Sequence, residues 1–165
     1  MYPPDASQTL LPSGLVTENC ERVYYGKVLN YEETSVQELG KYISYPCRLY
    51  NNSDSAGYAE IARDPETNDA VLIRLGENVG GSVIINGEIY GAKSGKVGHI
   101  QLVPGGKKCY CGRRGCFETV CNEELLKKAC RGTVSEFFEK LAGGDAACKK
   151  AWEKYISYVA EAIVN

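Results

Sequence analysis

No stretch of this 165-residue sequence approaches the roughly 20 consecutive apolar residues of a membrane span, so a transmembrane chain is not expected. The start, Met1 to Asp5, lacks the basic and apolar regions of a secretory signal, which points to a cytoplasmic protein. A basic excess is missing too. The 19 Lys and Arg side chains face 21 acidic ones, for a net charge of -2, and unaided DNA binding needs a concentrated basic face. The charged residues, 24% of the chain, are well mixed, which excludes a disordered charged tail. Internal repeats and low-complexity segments are absent as well. What is present is 44% hydrophobic residues, enough for one domain or two small lobes that bury roughly two thirds of their unfolded surface.

Cysteine is plentiful, with eight residues. An even count can signal an oxidised, secreted scaffold. Cys109, Cys111 and Cys116 crowd together, however, and bridges at such spacing are strained. In a reducing compartment such a cluster reads as a metal site. Cys20, Cys47, Cys121, Cys130 and Cys148 are scattered and read as small buried apolar residues.

The order of elements reads as α/β. Residues 1–18, with three prolines, read as an extended lead-in. Apolar residues at 36, 39, 42 and 43 predict a helix from 34, with Ser35 and Glu38 as its capping box. Pro46 stops it, and residues 47–50 form a short strand running into Asn51 and Asn52. A second helix is expected over about 55–62, ending before Pro65. Residues 70–75 read as a buried strand and 76–81 as a glycine-bearing turn. Residues 82–85 and 88–90 flank Asn86 and Gly87, the strongest short hairpin signal. Residues 99–103 are predicted as a further strand. Helices follow, capped by Asn122, by Thr133 with Glu136, and by Asp145. The last carries Ala147, Cys148, Ala151, Trp152, Tyr155, Ile156, Val159 and Ile163 on one face.

The single histidine, His99, joins Cys109, Cys111 and Cys116 in a set of one nitrogen and three sulfur ligands suited to tetrahedral zinc. Gly112 and Gly115 give the loop tight turns. Three thiolates, a neutral imidazole and Zn²⁺ sum to -1, and Lys107, Lys108, Arg113 and Arg114 surround that charge. The alternative is a core histidine beside free thiols. Four protein ligands leave no open position, so the metal is expected to be structural.

The stretch from Gly98 and His99 through Cys109, Cys111, Gly112, Gly115 and Cys116 to Glu118 resembles the signature of the ROK family, which comprises sugar-responsive transcriptional repressors and sugar kinases. Leu75 to Gly87 looks like that family's glycine-rich phosphate loop and hairpin, with Gly76, Gly80 and Gly81 as loop glycines. Asn51 and Asn52, followed by Glu60, look like its catalytic segment. The resemblance spans about residues 13–165. It implies a partial actin-like (ribonuclease H-like) ATPase fold, with 1–50 as a remnant of the N-terminal α/β lobe and 51–165 as the larger lobe. It also implies a sugar partner, contacted by Asn51, Asn52, Lys96, His99 and Glu118, and homo-oligomers.

The departures from the family pattern carry as much meaning. Where ROK kinases have an aspartate that accepts the sugar's proton, this chain has Asn52, and an amide cannot act as general base. Glu77 brings negative charge into the phosphate loop. Lys96 stands where the family has a glutamate that accepts bonds from sugar hydroxyls. The family's first phosphate motif, its late adenosine-binding Gly-Gly segment and the repressors' helix-turn-helix have no counterpart here, so the chain is expected to be a central piece of a ROK protein, reaching DNA only through a segment outside it.

Three functions are compatible with these residues: the sugar-sensing domain of a ROK regulator, a fragment of a ROK sugar kinase, or a degenerate zinc-stabilised assembly module. Each site residue also has a plain alternative. Asn51 and Asn52 can be turn residues, Lys96 a surface lysine, Glu118 a solvated acid, and Gly76, Gly80 and Gly81 determinants of chain geometry. If Lys96 does face the ligand, an acidic sugar is favoured, because a cation has replaced an acceptor. The competing outcome is a Lys96–Glu118 pair that fills the pocket.

Overall fold

The computed structural model describes residues 9–13, 15–16, 21–26, 31–45, 47–90 and 94–165. They form an α/β chain in two compact units. The first comprises residues 1–73 and 81–95, the second 74–80 and 96–165. The units are not consecutive stretches, and residue 50 lies inside the first. Cys20 and Pro46 fall outside the described residues.

The first unit opens with a strand, β1 (Thr9–Ser13), which pairs in parallel with β5 (Cys47–Asn51). Residues 9–13 of the proline-bearing lead-in are therefore sheet. Their partner lies far away in sequence, which local periodicity cannot report. Strands β2 (Leu15–Val16), β3 (Arg22–Gly26) and β4 (Tyr31–Ser35) form an antiparallel sheet. Helix α1 (Val36–Gly40) follows, and the expected capping box is present. Ser35 Oγ accepts from the Glu38 N–H at 3.2 Å, and the Glu38 carboxylate accepts from the Ser35 N–H at 2.8 Å.

Helix α2 (Asn52–Arg63) begins three residues earlier than predicted, because Asn51 caps it directly at the end of β5. Tyr50 and Tyr58 meet edge to face at 5.5 Å, and Ile61 and Ile89 pack on the pair. A third sheet has the order β6 (Ala70–Arg74), β7 (Gly80–Ile85), β8 (Glu88–Ile89). Strand β6 is not the buried strand expected, since Val71 is 62% exposed and no residue of β6 is fully buried. Its unbroken apolar run suits either a one-sided or a two-sided strand. The hairpin is as predicted: Asn86 and Gly87 both take positive φ, 53° and 73°, as a type I′ turn requires.

In the second unit α3 (Glu123–Cys130), α4 (Val134–Ala142) and α5 (Ala146–Val164) pack together. Phe137, Cys148, Leu126, Tyr155 and Ala162 are buried, and Trp152 stacks on Tyr155 at 5.6 Å. The buried face of α5 runs through Cys148, Tyr155 and Ala162. Ala147, Ile156 and Ile163, placed on that face by the sequence, are exposed. Thr133 with Glu136, and Asp145, cap as expected. Asn122 occupies the cap position of α3 but makes no side-chain cap bond; it donates to the Glu118 carbonyl at 2.7 Å instead. Residues 99–103 are not a strand. A 3₁₀ turn covers Ser94–His99, and only Gln101 bridges, to Cys116. The Leu102 and Val103 amides both donate to the Gly115 carbonyl, and that convergence breaks the alternating ladder a strand needs. Cys121, Cys130 and Cys148 are buried and unbridged. Among the described residues no helix is long and apolar enough to cross a membrane.

Candidate metal centre and its neighbours

The loop from Gln101 to Val120 is built from tight turns. The Cys109 N–H donates to the Arg113 carbonyl at 2.8 Å, and the Gly112 N–H returns to the Cys109 carbonyl at 3.1 Å. Gly115, at φ 71°, donates to the Lys107 carbonyl at 2.9 Å. A Cβ on Gly115 would collide with the Val103 carbonyl, so only glycine fits there. These turns bring together His99, Cys109, Cys111 and Cys116, whose ligand atoms all lie within 4.8 Å of one another. Cys109 Sγ is 3.6 Å from His99 Nδ1, and Cys111 Sγ is 3.6 Å from Cys116 Sγ. Sulfurs in a tetrahedron with metal–sulfur bonds of about 2.3 Å stand about 3.8 Å apart, so the cluster has the size of a four-coordinate metal site.

The electrostatics fit the same use. Burial pushes the Cys116 thiol up to about 12 and raises Cys109 as well. Burial also acts to raise Cys111. Hydrogen bonds from Arg113 and from the other two thiols outweigh it and bring that thiol down to about 7. Buried thiols that resist ionisation need a cation to take their protons' place. Burial, followed by the charges of Arg113 and Lys96, lowers the His99 pKa and keeps the imidazole neutral, the form that ligates. This cluster can hold a metal ion.

Glu118 sits two residues past Cys116 in the 3₁₀ turn Phe117–Thr119 and is only 6% exposed. Its position is secured from both sides. Cys116 and Phe117 are fully buried, and Cys121 exchanges hydrogen bonds with Tyr155 of α5, Sγ to carbonyl and hydroxyl to carbonyl, each at 3.4 Å. The Tyr110 hydroxyl approaches Glu118 Oε2 at 3.5 Å, and its ring meets the His99 ring edge-on at 5.1 Å. Tyr110 was not among the expected site residues. Its place between two ligands was the only available signal.

The other expected residues fall in different places. Lys96 is exposed on the turn before His99, and among the described ion pairs none joins it to Glu118. Gly76 is buried, and its carbonyl accepts from the Glu123 N–H at 2.9 Å, closing the first turn of α3. Glu77 is exposed, and Gly80 and Gly81 are buried at the start of β7. In the first unit, Asn51 Oδ1 accepts from the Ser53 N–H at 2.8 Å, and Asn52 is exposed in the first turn of α2. Lys107, Lys108, Arg113 and Arg114 are exposed around the metal loop.

Comparison with known proteins gives a consistent picture. The ROK family model matches residues 10–165. The DNA-binding transcriptional dual regulator NagC of Escherichia coli K12 is 31% identical over 129 residues, 74% of this chain and 32% of the relative. The N-acetylmannosamine kinase of Escherichia coli O157:H7 is 32% identical over 115 residues, 67% of this chain and 37% of the relative. The chain thus spans about a third of the length of these curated relatives. Among solved structures, a ROK family transcriptional regulator, homolog of the Escherichia coli MLC protein, has TM-score 0.81 at 22% identity, covering 94% of this chain and 45% of the other. A ROK family glucokinase from Streptomyces griseus, in complex with glucose and AMPPNP, has TM-score 0.77 at 19% identity, covering 92% and 58%. At such identities the likeness speaks for the fold alone.

Proposed function

This chain belongs to the ROK family and has its α/β, actin-like fold, and from that premise we propose that it is a sugar-sensing region of a ROK transcriptional regulator, built around a structural zinc and inactive as a kinase. The observation that carries the reading is the four-ligand cluster within 4.8 Å, set two residues from a buried carboxylate. His99, Cys109, Cys111 and Cys116 would hold the zinc, which supplies folding energy and, with four protein ligands, no open position for chemistry. Because His99 Nδ1 faces Cys109, a ligating neutral imidazole carries its proton on Nε2, which becomes a hydrogen-bond donor. Glu118 is the complementary acceptor. A donor beside an acceptor is what a pair of sugar hydroxyls requires. Lys96 is assigned to an anionic group on the ligand, so a sugar acid or sugar phosphate is preferred to a neutral hexose.

Inactivity as a kinase rests on position 52. Asn52 lacks basicity, and loss of a general base alone costs about 10²- to 10⁴-fold. Asp54 does not stand in for it. Two residues on along a helix is about 200° around the axis, and Asp54 is buried where Asn52 is exposed. The second reading, a kinase fragment, is favoured by the similarity to N-acetylmannosamine kinases. Incubation of the purified chain with ATP and a hexose panel, beside calorimetric titration with the same sugars, separates the readings. Binding without phosphoryl transfer is expected. Transfer that disappears in Glu118→Ala would establish the kinase, and absence of any binding would leave the assembly module.

A further inference from the structure

Tyr110 touches both polar groups on which the sugar reading depends. Its hydroxyl lies 3.5 Å from Glu118 Oε2, and its ring stands at 77° to the His99 ring with centroids 5.1 Å apart. The backbone that carries it is pinned on either side by the Cys109–Arg113 and Gly112–Cys109 hydrogen bonds, so the ring is presented by the turn itself. Even so the side chain is 48% exposed, in a loop whose neighbouring Cys109 and Glu118 are buried. A large aromatic ring, half open, next to one donor and one acceptor, matches an amphipathic ligand. A pyranose offers an apolar face of C–H groups and a rim of hydroxyls. Ligand sites of this kind pair aromatic walls with a few fixed polar groups.

We propose that Tyr110 is a specificity-determining residue of this site: its ring is the wall against which the apolar face of the sugar packs, and its hydroxyl holds the Glu118 carboxylate in the orientation that receives the sugar hydroxyls. The inference rests on the sugar-sensing reading and adds what decides between sugars. A carboxylate offers about four acceptor positions. The Tyr110 hydroxyl engages one of them, on Oε2. A wall also discriminates by shape. A sugar whose substituent lies in the plane of the ring can approach it, and an epimer with that substituent axial, on the packing face, cannot. Tyr110 is thus a positioning residue towards Glu118 and a steric one towards the ligand.

The test is calorimetric titration of the purified chain, and of Tyr110→Phe and Tyr110→Ala, with N-acetylglucosamine, N-acetylmannosamine, glucose and glucose 6-phosphate, with metal content measured in each preparation. Loss of the hydroxyl in Tyr110→Phe should weaken binding about 3- to 10-fold, the worth of one hydrogen bond, and preserve the ratio between the two N-acetyl epimers. Loss of the ring in Tyr110→Ala should weaken the preferred epimer at least about tenfold and bring the ratio close to one. A merely structural role would scale all sugars together and leave that ratio intact. If Tyr110→Ala loses its metal or unfolds, the Tyr110→Phe result decides alone. Sugar binding by the parent chain with unchanged affinities and ratio in both variants would overturn the role of Tyr110 and leave the sugar reading standing. No binding of any of the four sugars by the parent would overturn both.

Discussion

Glu118 is a carboxylate held in a nearly closed site by the residues on either side of it, Cys116 and Phe117 before it and the Cys121–Tyr155 exchange after it. At this scale the four clustered side chains matter most, because the loop has few apolar side chains of its own and two thiols, Cys109 and Cys116, that resist ionisation where they lie. Cys111→Ser should remove one ligand and much of the zinc affinity. Structural zinc contributes to folding directly, so a loss above about 2 kcal/mol is expected, or at least about 5 °C in the melting temperature for a chain of this size. Elemental analysis and thermal unfolding check it. Full metal content with an unchanged melting temperature would show that the ligand assignment is wrong. The clustering of His99, Cys109, Cys111 and Cys116 was readable in advance, because metal chemistry restricts residue type and spacing so tightly. Tyr110 was not. Any residue type fits between two cysteines in a turn, and its value comes from where the turn aims it.

Among the elements, the starts of α4 and α5 carry the side-chain caps expected of them, whereas Asn122 at the start of α3 does not bond as a cap; a side-chain cap is a local pattern with a local cause. Thr133 and Glu136 illustrate it: the hydroxyl accepts from the Glu136 N–H at 3.2 Å, and the carboxylate accepts from the Thr133 N–H at 2.7 Å. Backbone and side-chain hydrogen bonds hold Glu136 and Glu38 below the usual carboxylate range, and Asp145 likewise through Cys148. Groups whose folded pKa is depressed contribute stability above their unfolded value, near 4, and lose it as pH falls through the folded value. Helical signal and melting temperature should therefore decline below about pH 4. Thr133→Ala should lower the melting temperature by about 2–4 °C at neutral pH. A melting temperature that stays level from pH 5 to pH 3, or is untouched by Thr133→Ala, would contradict the capping account. Residues 99–103 and the α5 face were misread for a shared reason. Periodicity reports that a face is apolar, but tertiary partners decide what covers it, as when one carbonyl, that of Gly115, draws two consecutive amides.

For the whole molecule, the α/β class and the hairpin were accessible from pattern alone, whereas the parallel pairing of β1 with β5 joins residues 9–13 to 47–51 and leaves no local trace. Family membership came from the metal loop and its glycines, the part of the chain under the strictest chemical constraint. The choice between sensor and kinase rests on a different unit, at Asn52, which is why similarity to both kinds of relative does not settle it. The central claim is that a zinc-ordered loop presents a sugar site that binds without chemistry. Its most direct test is calorimetric titration of the zinc-loaded chain with N-acetylglucosamine and glucose 6-phosphate, repeated after chelation and again after zinc is restored. The account predicts saturable binding to the loaded chain, at least a tenfold loss on chelation and recovery on reloading. Binding of equal strength with and without zinc would contradict it.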